Sequence, residues 1–293
     1  MSIRATGTTA ASAIVLSAVL FGSTGTAQAL GPDEATPYGV GAIRIAIGGI
    51  VLWAVARRLP TGRTLRDHRL LILLGAGGVA AYQPGFFTGT ERLGVALGTI
   101  VALGSGPLFA GVIEWLAGNR PSPRWAVATG LAVGGGSLVV LSGDSGARFS
   151  TVGLLGALTA GLGYALYAAA TRRLIGRGVP STEASAWQFT LGAIVLFPLL
   201  VTQPLGWLGS AGGAAMALHL GVVCTGVAYV LYGWGLRLID TATATSLTLA
   251  EPVTAACLAV VVLDERLRWF GWAGALVVLA GLMIIGGGLR RTA

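Results

Sequence analysis

Runs of about 20 apolar residues follow one another along the chain, separated by short polar gaps. That is the length a helix needs to cross the hydrocarbon of a bilayer. The pattern predicts ten such helices, at roughly 9–29, 36–56, 69–89, 94–117, 124–142, 152–171, 184–203, 213–235, 241–263 and 269–288. No gap is long enough for a soluble domain. One integral membrane domain is therefore expected.

The ten runs fall into two sets of five. GAIRIAIGGIVL at 41–52 aligns with SAWQFTLGAIVL at 185–196, and SGPLFAGVIE at 105–114 with AEPVTAACLA at 250–259. Pro107 superposes on Pro252 and Gly136 on Gly281 at the second offset. The two copies are bounded at 1–146 and 147–293. Five is odd, so the second copy must enter the membrane from the opposite side. Transporters use such inverted repeats to expose one site alternately to each face. The predicted fold is all-α, with ten transmembrane helices as two inverted five-helix repeats around a central cavity.

Polar positions inside the runs mark the candidate site. Glu251 is about ten residues from either end of the ninth run, near the midplane, where a bare carboxylate costs about 2.5–3.5 kcal/mol. It must face the bundle interior, pair, or take up a proton. Thr241, Thr245 and Thr248 recur at helical spacing beside it. Thr225, Tyr229 and Tyr232 do the same in the eighth run, and Tyr164, Tyr167 and Thr171 in the sixth. Inward aromatic and hydroxyl groups suit a cavity for a small amphipathic solute; interhelical hydrogen bonding that only binds the bundle is the bland alternative. Arg44 in the second run either snorkels outward or pairs with a carboxylate or a substrate anion, and Gln188 takes its place in the second copy. Gln83, beside Pro84, is a further lining candidate. The candidate substrate-binding set is Glu251, Tyr229, Tyr232, Tyr164, Thr248, Gln83 and Arg44. Pro107 and Pro252 are expected to bend their helices and shape the cavity. Glu114 is expected to snorkel from its helix end. Gly130 with Gly134, and Gly271 with Ala275, read as close-packing faces.

Composition changes the picture in one respect. The net charge of +8 would suggest nucleic acid in a soluble protein. Here all 19 basic residues are Arg, and 14 of them fall at one end of the predicted bundle: Arg4, Arg57, Arg58, Arg63, Arg66, Arg69, Arg120, Arg124, Arg172, Arg173, Arg177, Arg237, Arg290 and Arg291. Only Arg92, Arg148, Arg266 and Arg268 fall at the other. The charge is topological, no nucleic-acid partner is expected, and both termini are placed in the cytoplasm. Ala27-Gln28-Ala29 after an apolar stretch resembles a signal cleavage site. The repeat needs that stretch as its first span, which favours retention. Cys224 and Cys257 have neither zinc-site nor disulfide spacing and read as packing residues.

With these residues in place the chain resembles the EamA-type transporters of the drug/metabolite transporter superfamily. The resemblance rests on ten spans in two halves, Arg44 in the second span, and SLTLAEPVTAACLAVVVLDERL at 246–267 followed by Gly274 and Gly281. It implies a basket of ten helices, a cavity lined by spans 1, 3, 4, 6, 8 and 9, and transport of small metabolites. There are departures. Asn119 and Arg120 stand where the first copy should carry an acidic residue, and Leu20-Phe21 where a Trp is frequent.

The expected function is secondary transport of amino-acid-like or drug-like solutes, as an exporter working by alternating access in the plasma membrane. The expected partners are the small-molecule substrate, the lipid bilayer, and protons or another coupling ion; a homodimer is among the assemblies left open. No cofactor, metal or catalytic residue is expected. There is neither a phosphate-binding G-x-x-x-x-G-K-[ST] loop nor an H-E-x-x-H site. A scaffold or receptor is one alternative. An intramembrane enzyme is another, resting on Gly143-Asp144-Ser145-Gly146, with His68 and His219, both placed toward the cytoplasm, as candidate bases.

Overall fold

The computed structural model describes residues 6–56, 62–142 and 150–289. Among these, ten helices are long and apolar enough to cross a membrane. They are α1 (Gly7–Ala29), α2 (Pro37–Ala56), α3 (Gly62–Leu93), α4 (Val95–Leu116) and α5 (Pro123–Leu141) in the first copy. The second holds α6 (Thr151–Gly176), α7 (Ser181–Leu200), α8 (Ala211–Gly235), α9 (Thr241–Val262) and α10 (Trp269–Leu289). The described residues contain no strand.

Helix starts follow local chemistry. Ser122, Ser150 and Ser210 cap α5, α6 and α8 by accepting from the backbone N–H three positions on, and Asp240 caps α9 from Thr243 N–H. Such caps satisfy amides that have no partner within the helix. α3 is longer than the hydropathy predicts. Its first turn is set off by a non-helical residue, His68, and carries exposed Arg63 and Arg66 beside Asp67.

Packing repeats across the two copies. α3 lies on α6 as α8 lies on α1; α4 lies on α6 as α9 lies on α1; α2 lies on α8 as α7 lies on α3. α2 also packs on its equivalent α7, and α5 on its equivalent α10. This is the pattern of two inverted five-helix repeats around a pseudo-two-fold axis.

The close-packed face of α5 is not the one expected. Gly130 and Gly134 have open space around them. Contact with α10 runs instead through Gly135 and Gly274, where a Cβ on either would sit 2.6 or 2.5 Å from the other's carbonyl oxygen. Hydropathy cannot distinguish two glycine faces one residue apart. Cys224 is buried as expected, whereas Cys257 is exposed.

α9 is broken at mid-depth. An α-helical piece, Thr241–Leu247, gives way to a 3-10 turn at Thr248–Ala250, and α-helix resumes at Glu251. Pro252 has no N–H to give the Thr248 carbonyl four residues back, so the Glu251 N–H takes that carbonyl instead. This tightens the turn.

A central cavity between the two repeats

Between the repeats lies a cavity of about 80 Å³, against the ~10–15 Å³ that one water needs on this measure. It runs from mid-depth toward the end of the bundle opposite the termini. α1 contributes Phe21, Thr24 and Gln28; α2 contributes Arg44; α3 contributes Tyr82, Gln83, Phe86 and Phe87. α4 adds Ala102 and Leu103, α6 Tyr164, α8 Tyr229, and α9 Thr248, Leu249 and Glu251.

Six of the seven candidate residues therefore meet at one cavity: Glu251, Tyr229, Tyr164, Thr248, Gln83 and Arg44. Tyr232 does not reach its wall. It is fully buried one layer behind, with its ring 5.8 Å from that of Tyr164 and 6.2 Å from that of Tyr229. Tyr229 and Tyr232 sit at helical spacing on α8 that matches one inward face, but only a ring's depth separates lining from support.

The two charged groups are held differently. The break at Pro252 sets Glu251 at the first turn of the second piece of α9, with its carboxylate on the cavity. Arg44 donates from Nε to Thr225 Oγ1 at 3.2 Å. Arg44 thus turns into the bundle toward α8, and no carboxylate pairs with it among the described residues. Glu251 and Arg44 make no ion pair with each other; among the described residues the ion pairs are those of Asp67 with Arg63 and Arg66. A carboxylate and a guanidinium thus face one small cavity without neutralising each other by contact.

Aromatic rings make up much of the rest of the wall. Tyr82 stacks on Phe86 at 5.8 Å with planes 6° apart, and Tyr229 lies 5.1 Å from Phe21 and 4.5 Å from Phe189. Tyr164 donates to Thr248 Oγ1 at 3.3 Å, whose own proton goes to the Thr245 carbonyl at 2.8 Å. The predicted threonine stripe divides at this point. Thr248 faces the cavity, while Thr245 is buried and donates back to the Thr241 and Ala242 carbonyls.

Tyr82, Phe86, Phe87, Phe21 and Thr24 are lining residues that the sequence reading did not select. The signal was present in Tyr82-Gln83-Pro84-Gly85-Phe86-Phe87, three aromatics packed around a helix-bending proline.

Toward the end bearing the termini, polar side chains bond one helix to another. Glu114 does not snorkel. It is 8 % exposed; Oε1 accepts from Thr241 N–H at 3.2 Å and Oε2 from Asn119 Nδ2 at 3.0 Å. A carboxylate at a helix N-terminus meets unpaired amides and the positive end of the helix dipole. Beside it, Ser246 on α9 accepts from Trp125 Nε1 at 3.0 Å and bonds Thr129 Oγ1 at 2.8 Å. His219 was expected on the same side as His68. It lies in the opposite half, 2.9 Å from Ser23 Oγ on α1, because α8 runs in from the far end. Gly143-Asp144-Ser145-Gly146 lies outside the described residues.

The comparison with known proteins decides the family. The EamA-like transporter family matches residues 8–141 and again 151–287. The chain belongs to this family. EamA proteins are part of the drug/metabolite transporter superfamily, so this is a multi-pass membrane protein of a transporter family. The chain is 36 % identical over 283 residues to "Uncharacterized transporter YwfM" of Bacillus subtilis, covering 95 % of this chain and 94 % of that protein. It is 25 % identical over 283 residues to "Probable terminal-alkyne amino-acid exporter" of Streptantibioticus cattleyicolor, covering 96 % and 93 %. A solved crystal structure at 22 % identity superposes with a TM-score of 0.80 over 96 % of this chain and 98 % of that one, so the two share a fold. Beyond the six spans that the resemblance implied, α2 also reaches the cavity, through Arg44.

Proposed function

We propose that this EamA protein is a secondary transporter that exports small zwitterionic metabolites of the amino-acid type by alternating access. One observation carries the reading. Arg44 and Glu251 line the same cavity without an ion pair between them, and aromatic rings line it with them. Charges inside a membrane span without an opposite charge beside them are costly, and a solute bearing a carboxylate and an ammonium would complement both. The rings would take an apolar side group, and ring faces also attract cations. Export follows the name of the Streptantibioticus relative. Glu251 would hold the ammonium or, in alternation, a proton that couples transport to a gradient. The repeats at 1–146 and 147–293 would rock about the fixed site. The Arg asymmetry supports cytoplasmic termini.

The test is flux in proteoliposomes. Wild-type protein is expected to move L-phenylalanine out of sealed vesicles, and Glu251→Gln protein to lose that flux while inserting normally. Equal flux from both would remove Glu251 from the site.

A further inference from the structure

A hydroxyl on α8 decides which edge of Arg44 faces the cavity. α8 is π-helical from His219 to Val227. Within that stretch Thr225 is fully buried, and its Oγ1 donates to the Leu220 carbonyl, five residues earlier, at 2.8 Å. A hydroxyl has one proton. With that proton committed to Leu220, the Thr225 oxygen is left as an acceptor, and it accepts from Arg44 Nε at 3.2 Å. The close approach is built in. Gly48 lies one turn beyond Arg44 on α2, and a Cβ there would overlap the Thr225 side chain. Gly221 is pressed against Ile47 and Gly226 against Val51 in the same way. The widened turn of α8 is thus meshed into the face of α2 that carries Arg44.

The consequence is directional. A guanidinium is a planar fork of five N–H groups. With Nε–H held by Thr225, the terminal Nη edge is the part left for the cavity, and no hydrogen bond or ion pair engages it among the described residues. We propose that Thr225 is a positioning residue: it fixes Arg44 so that its two Nη groups receive a substrate carboxylate end-on, and so makes this protein select solutes that carry a carboxylate. π-helical turns inside α-helices occur frequently at functional sites, and here the turn supplies the oriented acceptor. The inference rests on the reading of Arg44 as the carboxylate-binding group.

Binding of L-phenylalanine and of phenethylamine, which lacks the carboxylate, to purified full-length protein by titration calorimetry tests both levels. Wild-type protein is expected to prefer the amino acid. Arg44→Gln should weaken L-phenylalanine and leave phenethylamine unchanged, which upholds the reading of the site. Thr225→Val keeps the shape but removes the acceptor. It should weaken L-phenylalanine about tenfold, as for a hydrogen bond to a charged group, and leave phenethylamine unchanged. Thr225→Ser should restore wild-type preference. If Arg44→Gln behaves as expected but Thr225→Val binds both probes as wild type does, or weakens both equally, the positioning role fails and the site reading stands. If Thr225→Val does not fold, the Ser variant decides: loss of the preference in a folded Thr225→Ser protein overturns the proposal, and retention supports it. Failure of wild-type protein to prefer the amino acid overturns both.

Discussion

The two ends of the bundle are related by the repeat yet differ in chemistry. At the end bearing the termini, Glu114 caps α9 and Ser246 bonds Trp125 and Thr129. At the offset of 145 that aligns Pro107 with Pro252, Glu114 becomes Ala259, Thr241 becomes Ala96 and Ser246 becomes Val101. The opposite end therefore lacks this latch at the equivalent positions; its cross-helix bonds are others, Thr36 Oγ1 to Gln203 Oε1 at 2.8 Å and Ser23 Oγ with His219 Nε2 at 2.9 Å, and it is toward that end that the cavity, lined by Gln28 and Phe87, extends. An inverted repeat duplicates the helices. It does not oblige the side-chain hydrogen bonds that join the copies at the two ends to be alike.

That contrast can be broken at several points. The largest effect is expected at the cavity itself: Arg44→Gln or Glu251→Gln should cut flux in vesicles by more than about tenfold, since each removes a charge-assisted hydrogen bond to substrate. Full flux in either variant would separate the cavity from transport. Next comes the latch. Glu114→Ala leaves the Thr241 N–H without its acceptor, a loss of about 1–3 kcal/mol for a buried donor. The protein should melt at a lower temperature, and a cysteine placed at Ala242, now buried, should become reactive to water-soluble maleimide. Unchanged labelling would mean that Glu114 caps a helix without holding the end shut. Tyr164→Phe should act more weakly. It loses one neutral hydrogen bond, to Thr248, worth about 0.5–1.5 kcal/mol, while the ring stays. Relative affinities among substrates should shift by a few-fold, with little change in maximal flux. Tyr164→Ala, which removes the ring, should impair both.

The parts legible in the sequence were those with a period or a cost. Ten apolar runs gave ten helices, because hydrocarbon imposes length. Glu251 and Arg44 stood out because a charge inside a span is costly unless something faces it, and both do line the cavity. Pro252 announced the break in α9, because proline removes a specific hydrogen bond. What stayed hidden depends on angles of a few tens of degrees. Tyr232 shares the spacing of Tyr229 yet lies a layer behind it. Gly134 resembles a packing glycine, but its neighbour Gly135 makes the contact. The partners of Glu114 and Arg44 lie 127 and 181 positions away in sequence, and no local pattern marks Thr241 or Thr225 as their receivers. The π-helical stretch of α8 has no composition of its own, so the orientation of the Thr225 hydroxyl emerges only from the packed structure.

The central claim is that Arg44 and Glu251 hold opposite ends of one zwitterion. A structure of the protein bound to L-phenylalanine tests it most directly. The account predicts the carboxylate on the Nη groups of Arg44, the ammonium beside Glu251, and the phenyl ring among Tyr82, Phe86 and Tyr229. Density for the amino acid outside this cavity, for instance in the groove beside Met216 and His219, with Arg44 and Glu251 untouched, would contradict it.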